Sequence, residues 1–142
     1  MKRLAAFFAV VAICAPALGQ ISHHLKANIP FDFETGDRVL PAGDYAFEHQ
    51  TYSGTPVVQV RSQEGSGVAM ALAHPATARP GEMEIKLTFN RYGDRYFLAG
   101  VVAPERSVQM VKTRSEKTLV TSRMVNVASH PPQLVEIRAS LF

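Results

Sequence analysis

The chain has 142 residues, of which 46% are hydrophobic, and this is long enough to bury a core in one domain. Its net charge of +3 comes from 15 Lys and Arg against 12 Asp and Glu, and loss of Lys2 and Arg3 would leave 13 against 12. A charge near +1 argues against nucleic acid as a partner, and the single cysteine, Cys14, excludes a disulfide within the chain.

The N-terminal segment has the pattern of a secretory signal peptide. A short basic head precedes an almost unbroken apolar run over residues 4–18, which ends in small side chains. The run is shorter than the roughly 20 residues that a membrane-spanning helix needs, and Pro16 lies within it. We therefore predict cleavage before Gln20, which removes residues 1–19. The mature chain, residues 20–142, is expected to form one β-domain in the periplasm or the extracellular medium, without stable membrane insertion.

The first strand pattern of the mature chain covers residues 26–34, where apolar and polar side chains alternate. Pro30 has no N–H to donate to a ladder, so it is expected at a sheet edge or a strand end. Turn residues follow at 35–37 and again at 40–44. They predict a second strand over residues 45–49.

Two weaker strand patterns follow, at residues 57–61 and 68–72. The glycines Gly65 and Gly67 lie between them, and this favours a hairpin. Residues 75–81 contain two prolines and a glycine, and they are predicted to form a loop that leads into the centre of the chain.

The clearest element is a hairpin near the middle of the chain. Residues 84–90 alternate strictly between polar and apolar side chains, which is typical of a strand with one buried face. Tyr92, Gly93 and Asp94 interrupt the pattern with residues that suit a tight turn. The chain then returns over residues 95–102, which are rich in aromatic and branched side chains.

The register of this hairpin has two solutions. A two-residue loop at 93–94 would place Phe89 opposite Leu98. A three-residue loop would instead place Phe89 opposite Phe97 and turn Tyr96 towards the polar face. We favour the three-residue loop with a bulge at the glycine, because it buries Phe97 and lets the Tyr96 hydroxyl reach water.

The C-terminal part contains a predicted helix and a last strand. Thr113 and Glu116 have the spacing of a helix capping box, which predicts a short helix over residues 114–123. Residues 119–127 could instead alternate as a strand. Two prolines then end this element, and residues 134–138 are predicted to be the last strand. Together these elements predict an all-β fold, a small antiparallel barrel or sandwich of about seven or eight strands with one short helix in the C-terminal half.

The sequence lacks the patterns of catalytic, metal and cofactor sites. No nucleophile turn, phosphate loop or dinucleotide motif is present, and the histidines lack the spacing of metal ligands. His49 is next to a predicted turn and is interpreted as an exposed polar residue. The acidic pairs at residues 32 and 34 and at 82 and 84 fall on polar strand faces, unlike glycosidase carboxylates. We therefore predict a protein without enzymatic activity, cofactor or metal.

Two functions compete for a domain of this kind. In the first, the protein is a structural or protein-interaction module of the envelope or extracellular space, with an edge strand or the hairpin as its contact surface. In the second, the sheet surrounds a small apolar or carbohydrate ligand. The candidate binding residues around the hairpin tip are Arg91, Tyr92, Arg95 and Tyr96. The candidate pocket residues are Tyr45, Phe47, Tyr96 and Phe97.

Three segments also resemble a group of short exported proteins of environmental bacteria. Residues 27–33, 40–45 and 87–99 match the motifs "ANIPFxF", "LPAGxY" and "LTFxRYGxRYFL" of that group. The hairpin motif is the most specific of the three. The resemblance implies a small all-β exported domain and carries over no catalytic role.

Overall fold

The computed structural model of the protein describes residues 24–65, 67–104, 106–125 and 131–141. The predicted signal peptide and its cleavage site before Gln20 lie outside the described residues. Within them the chain forms eleven strands and one helix. In chain order these are β1 (His24–Ile29), β2 (Phe33–Thr35), β3 (Arg38–Leu40), β4 (Gly43–Tyr52), β5 (Thr55–Ser62), β6 (Val68–Ala76), β7 (Lys86–Tyr92), β8 (Arg95–Val102), β9 (Ser107–Met110), α1 (Arg114–Val125), β10 (Gln133–Arg138) and β11 (Ser140–Leu141).

The strands form one open, mixed sheet. Its order is β10-β7-β8-β9-β6-β5-β4-β1-β11, and β2 lies off this path, antiparallel to β3 and parallel to β8. The predicted all-β class and the short helix are confirmed. The finer prediction of a small antiparallel barrel or sandwich of about seven or eight strands was only partly right: the sheet is not a closed barrel, one of its pairings is parallel, and the described residues form eleven strands. The sequence interpretation merged β2 with β1 and missed β3, β9 and β11, because strands of two to four residues are too short to show an alternating pattern.

The two ends of this strand order lie close together. β10 pairs with β7 at one end and β11 pairs with β1 at the other, although only Ala139 separates β10 from β11 in the chain. The Ala139 N–H donates to the carbonyl oxygen of Ile85 at 2.9 Å. β10 and β11 do not pair with each other, so the strand order stays open and the curled sheet is not a closed barrel.

The core lies on one face of the sheet, where alternate side chains of most strands meet. Its centre is aromatic. The ring of Phe33 meets the rings of Tyr45 and Phe89 edge to face, with centroid distances of 5.1 and 5.5 Å. Around it pack aliphatic side chains such as Ile29, Val60 and Leu87, all fully buried.

The predicted strand over residues 26–34 is divided in two. β1 ends at Ile29, Pro30 follows it directly, and β2 begins only at Phe33. The interruption lets the chain leave β4, the partner of β1, and reach β8, the partner of β2. The alternation of polar and apolar side chains predicts one continuous strand, because this pattern carries no information about which strand each part pairs with.

The central hairpin forms, but with the two-residue loop. Phe89 pairs with Leu98 and Tyr92 pairs with Arg95, so the favoured three-residue loop was wrong. The bulge lies at Ala99 instead of at the glycine, since Thr88 pairs with Gly100 while Phe89 pairs with Leu98. The extra residue puts both Leu98 and Val101 on the core face.

Phe97 is nonetheless fully buried on the other face of the hairpin. Its ring meets the ring of Tyr92 edge to face at 5.7 Å. Helix α1 reaches the same hairpin, because the buried carboxylate of Glu116 accepts hydrogen bonds from Asn90 and Tyr92. Both faces near the hairpin tip are therefore covered, which the sequence pattern of a one-sided strand did not indicate.

Helix α1 begins where the capping pattern predicted. The Glu116 N–H donates to Thr113 Oγ1 at 3.1 Å, so Thr113 is the N-cap. The alternative of a strand over residues 119–127 was wrong for the part that the structure describes. Within the described ranges, no helix combines the length and the apolar character that crossing a bilayer requires.

Candidate ligand cavity

An apolar cavity of about 440 Å³ lies at the end of the sheet where β4 finishes. Strands β1, β4, β5, β8, β9 and β11 contribute to its wall. Pro104, Arg106 and Leu141 are exposed and form its rim. The lining residues are Leu25, Phe47, His49, Val58, Ile85, Val101, Ala103, Pro104, Arg106, Val108 and Leu141.

The cavity exists because side-chain size falls along the core. Tyr45, Phe47 and His49 alternate on the inner face of β4. At the level of Tyr45, the rings of Phe33 and Phe89 fill the space. At the level of His49, the neighbours are smaller, and its cross-strand partner is Val58. Small side chains around one end of an aromatic core leave the volume that a ligand can occupy.

His49 is the main polar group in this wall. Both its ring nitrogens are buried, and neither has a hydrogen-bond partner among the described residues. Burial, and to a smaller extent the positive charge of Arg106, lower the pKa of His49 below its usual value of 6.5. The imidazole is therefore neutral at neutral pH, with one N–H donor and one acceptor nitrogen facing apolar surroundings. Such an arrangement costs stability unless a further group supplies partners.

Arg106 contributes the charge at the rim. The turn that precedes it is fixed by Ser107, whose hydroxyl donates to the Ala103 carbonyl oxygen at 3.0 Å and accepts from the Ala103 N–H at 3.2 Å. No acidic side chain of the described ranges forms an ion pair with Arg106. A guanidinium at the rim can hold an anion at the mouth of the cavity.

Replacing His49 with leucine is expected to stabilise the fold by about 1–3 kcal/mol, because the variant no longer buries an imidazole without partners. The gain should grow as the pH falls below 6.5. There the unfolded wild-type chain takes up a proton at residue 49, whereas the folded chain, with its lowered His49 pKa, resists protonation. Urea denaturation of both proteins from about pH 5 to about pH 8 measures this. A gain that shrinks towards low pH would contradict the burial of His49.

Of the predicted binding residues, Phe47 alone lines the cavity. Tyr45 lies deeper in the core, where its hydroxyl donates to the Pro41 carbonyl oxygen at 2.6 Å. Phe97 is buried under the other face of the central hairpin. The structure therefore separates Phe47 from the hairpin residues with which it was grouped.

The structure brings the hairpin residues together, but in contacts within the chain. Arg95 forms an ion pair with Glu34, with Nε at 3.0 Å from Oε1, and also bonds Ser115 of α1. Tyr92 donates to Glu116 at 3.1 Å. The guanidinium of Arg91 donates to the Gly93 carbonyl oxygen at 2.7 Å.

Tyr96 completes this group by stacking on Phe31, with ring centroids 3.9 Å apart and an angle of 13°. The Arg91 guanidinium lies over the same Tyr96 ring at 5.4 Å. These contacts occupy the groups that the sequence offered for sugars or carboxylates. They attach β2 and α1 to the hairpin.

The sequence interpretation missed the two polar residues of the cavity. His49 was interpreted as an exposed residue at the end of a strand, next to a turn, but β4 continues to Tyr52 and keeps His49 on the face of Tyr45 and Phe47. Its spacing of two from Phe47 was a usable signal. No sequence signal placed Arg106 at the cavity, because it reaches the cavity through the pairing of β9 with β8 and β6.

No family model, curated protein or solved structure matches this chain. Within the described part of the chain, no group of three or more His, Cys, Asp or Glu side chains is placed to hold a metal ion.

Proposed function

We propose that the protein is an exported β-domain that binds a small, largely apolar ligand, and that it is not an enzyme. The observation that carries this proposal is the apolar cavity of about 440 Å³ with the unpartnered imidazole of His49 in its wall. Volumes of this order are typical of small-molecule sites, as is an apolar lining with few polar groups. Binding would remove the exposed apolar lining from water and give His49 the partner that it lacks.

A second candidate, a protein-interaction module, is favoured by a row of exposed apolar side chains on β6. Val68, Met70 and Leu72 alternate with buried alanines and are 41%, 50% and 56% exposed. A contiguous apolar strip of this kind suits contact with another protein. The cavity favours the first candidate, because it also contains a buried polar group without a partner.

Native mass spectrometry of the purified mature protein distinguishes the two candidates. A retained small molecule on a monomer supports the ligand-binding domain. A ligand-free homo-oligomer, or a complex with another protein, supports the interaction module.

An Ala103→Trp variant is expected to abolish ligand binding, because the indole would fill the cavity beside Val108 and Arg106. The measurement is the fluorescence of N-phenyl-1-naphthylamine, a neutral dye that emits strongly in apolar sites. We expect saturable binding by the wild type and at least a tenfold weaker affinity for the variant, which corresponds to about 1.4 kcal/mol.

Ala42→Trp is the matched control for this substitution. Ala42 is exposed in the turn before β4, away from the cavity at the other end of that strand, so its replacement should leave dye binding unchanged. Equal binding by the wild type and by Ala103→Trp would place the dye elsewhere and refute the proposed site.

A further inference from the structure

The polar groups of the cavity lie together at one place. His49 projects from β4 and Arg106 precedes β9, and the two line the same cavity wall. The remaining lining side chains are aliphatic or aromatic, with Leu25, Phe47 and Val58 among them. The cavity is therefore mainly apolar, with the charged Arg106 at its rim and the buried imidazole of His49 in its wall.

The two groups line the same cavity, and the charge of Arg106 acts on His49, so both lie within reach of one anionic ligand group. Arg106 presents the N–H groups of a permanent cation, and no acidic side chain of the described ranges neutralises it. The neutral ring of His49 can add one N–H, because its nitrogens have no partner in the described structure; they are closed to water, so the ring has to turn towards the cavity to reach a ligand. A ligand hydroxyl would satisfy the imidazole but leave the arginine without a counter-ion. A carboxylate has two oxygens and can accept from both residues.

We infer that the ligand is an apolar monocarboxylate, with its carboxylate held by Arg106 and His49 and its hydrocarbon part enclosed by Leu25, Phe47 and Val58. This inference rests on the proposed function and specifies the class of ligand. One guanidinium and one neutral imidazole match a single negative charge, whereas a phosphate dianion would call for further cations. The apolar walls exclude a polar tail, because burial of unpaired polar groups is costly.

The length of the hydrocarbon part should control affinity. Each methylene that enters the cavity strengthens binding roughly fourfold, as expected for transfer of one such group out of water. In a series from butanoate to dodecanoate, affinity should rise in steps of this size and then level off when the cavity is full.

The test is displacement of N-phenyl-1-naphthylamine from the mature protein by decanoate and by decanol. Decanoate should bind about tenfold or more tightly than decanol, the range expected for a charged hydrogen-bonded pair. Arg106→Gln should remove that advantage: the affinity for decanoate should fall, and the affinity for decanol should stay within about twofold of the wild-type value. Arg106 is exposed, so the substitution should not disturb folding, and the thermal melt followed by circular dichroism checks this.

Arg61→Gln is the control, because it removes the same positive charge as Arg106→Gln. Arg61 is exposed on β5 and does not line the cavity, so its replacement should change neither the affinity for decanoate nor that for decanol. If decanol binds the wild type as tightly as decanoate, or if Arg61→Gln weakens decanoate as much as Arg106→Gln does, the inference is wrong while the proposed function stands. If the wild type binds neither the dye nor decanoate nor decanol, the inferred ligand class and the proposed function are both wrong.

Discussion

A Gly36→Ala variant is expected to lose about 3 kcal/mol or more of folding stability. Gly36 lies in the turn between β2 and β3 with a φ of 54°. A Cβ atom at this position would overlap the backbone carbonyl oxygen of Met70 and lie 2.8 Å from its carbonyl carbon. Because the obstacle is backbone of β6 and not a movable side chain, the turn would have to separate from the sheet.

Gly54→Ala separates this collision from the cost of backbone conformation. Gly54 has a φ of 83°, but a Cβ atom there would have no neighbour within 4 Å. The control should therefore lose only about 1 kcal/mol, the cost of a positive φ for alanine. Urea denaturation followed by circular dichroism gives both values. Equal losses in the two variants would show that the turn does not pack closely on β6.

Replacement of Phe89 with alanine is expected to cost about 4 kcal/mol of folding stability. The side chain is fully buried, and its ring meets Phe31 and Phe33 edge to face at 5.2 and 5.5 Å. Truncation would remove the apolar transfer energy of the ring and leave a cavity among side chains that cannot close it.

Phe89→Leu is the conservative control and should cost less than about 1.5 kcal/mol, because it keeps most of the volume. Thermal and urea unfolding of the three proteins measure the series. A loss for Phe89→Ala close to that of Phe89→Leu would mean that the aromatic centre repacks freely, and would contradict the tight packing on which the shape of the cavity depends.

The polar groups at the hairpin tip have a structural explanation. Glu34 and Glu116 are buried carboxylates, and each is matched by donors from the hairpin, Arg95 for Glu34 and Asn90 with Tyr92 for Glu116. Buried charges persist where hydrogen bonds satisfy them. The basic and aromatic residues that the sequence suggested as a binding surface serve to attach β2 and α1.

His49 and Arg106 differ from that group because, among the described residues, the imidazole has no hydrogen-bond partner and the guanidinium has no ion-pair partner. An imidazole left without hydrogen bonds in an apolar wall lowers stability, and proteins retain such groups chiefly where function uses them. The expected gain in stability of His49→Leu and the expected loss of carboxylate binding in Arg106→Gln are therefore two measurements of one site.

The central hairpin shows how far local pattern determines this fold. Alternation over residues 84–90 predicted that Leu87 and Phe89 face the core, and both are fully buried. The predicted register was wrong by one residue because the loop has two residues, and the bulge lies at Ala99, where it places Leu98 and Val101 inward together. Burial of Phe97 on the opposite face depends on α1 and β2, which lie far from it in sequence.

The sequence by itself determined the all-β class, the position of the hairpin and the start of α1, because each depends on the order of a few neighbouring residues. Tertiary structure decided the number of strands, the parallel pairing of β2 with β8 and the candidate site. The cavity joins His49 from β4 to Arg106 before β9, and no local pattern specifies that meeting. It follows from strand order and from the decrease in side-chain volume along the core, and both are properties of the folded sheet.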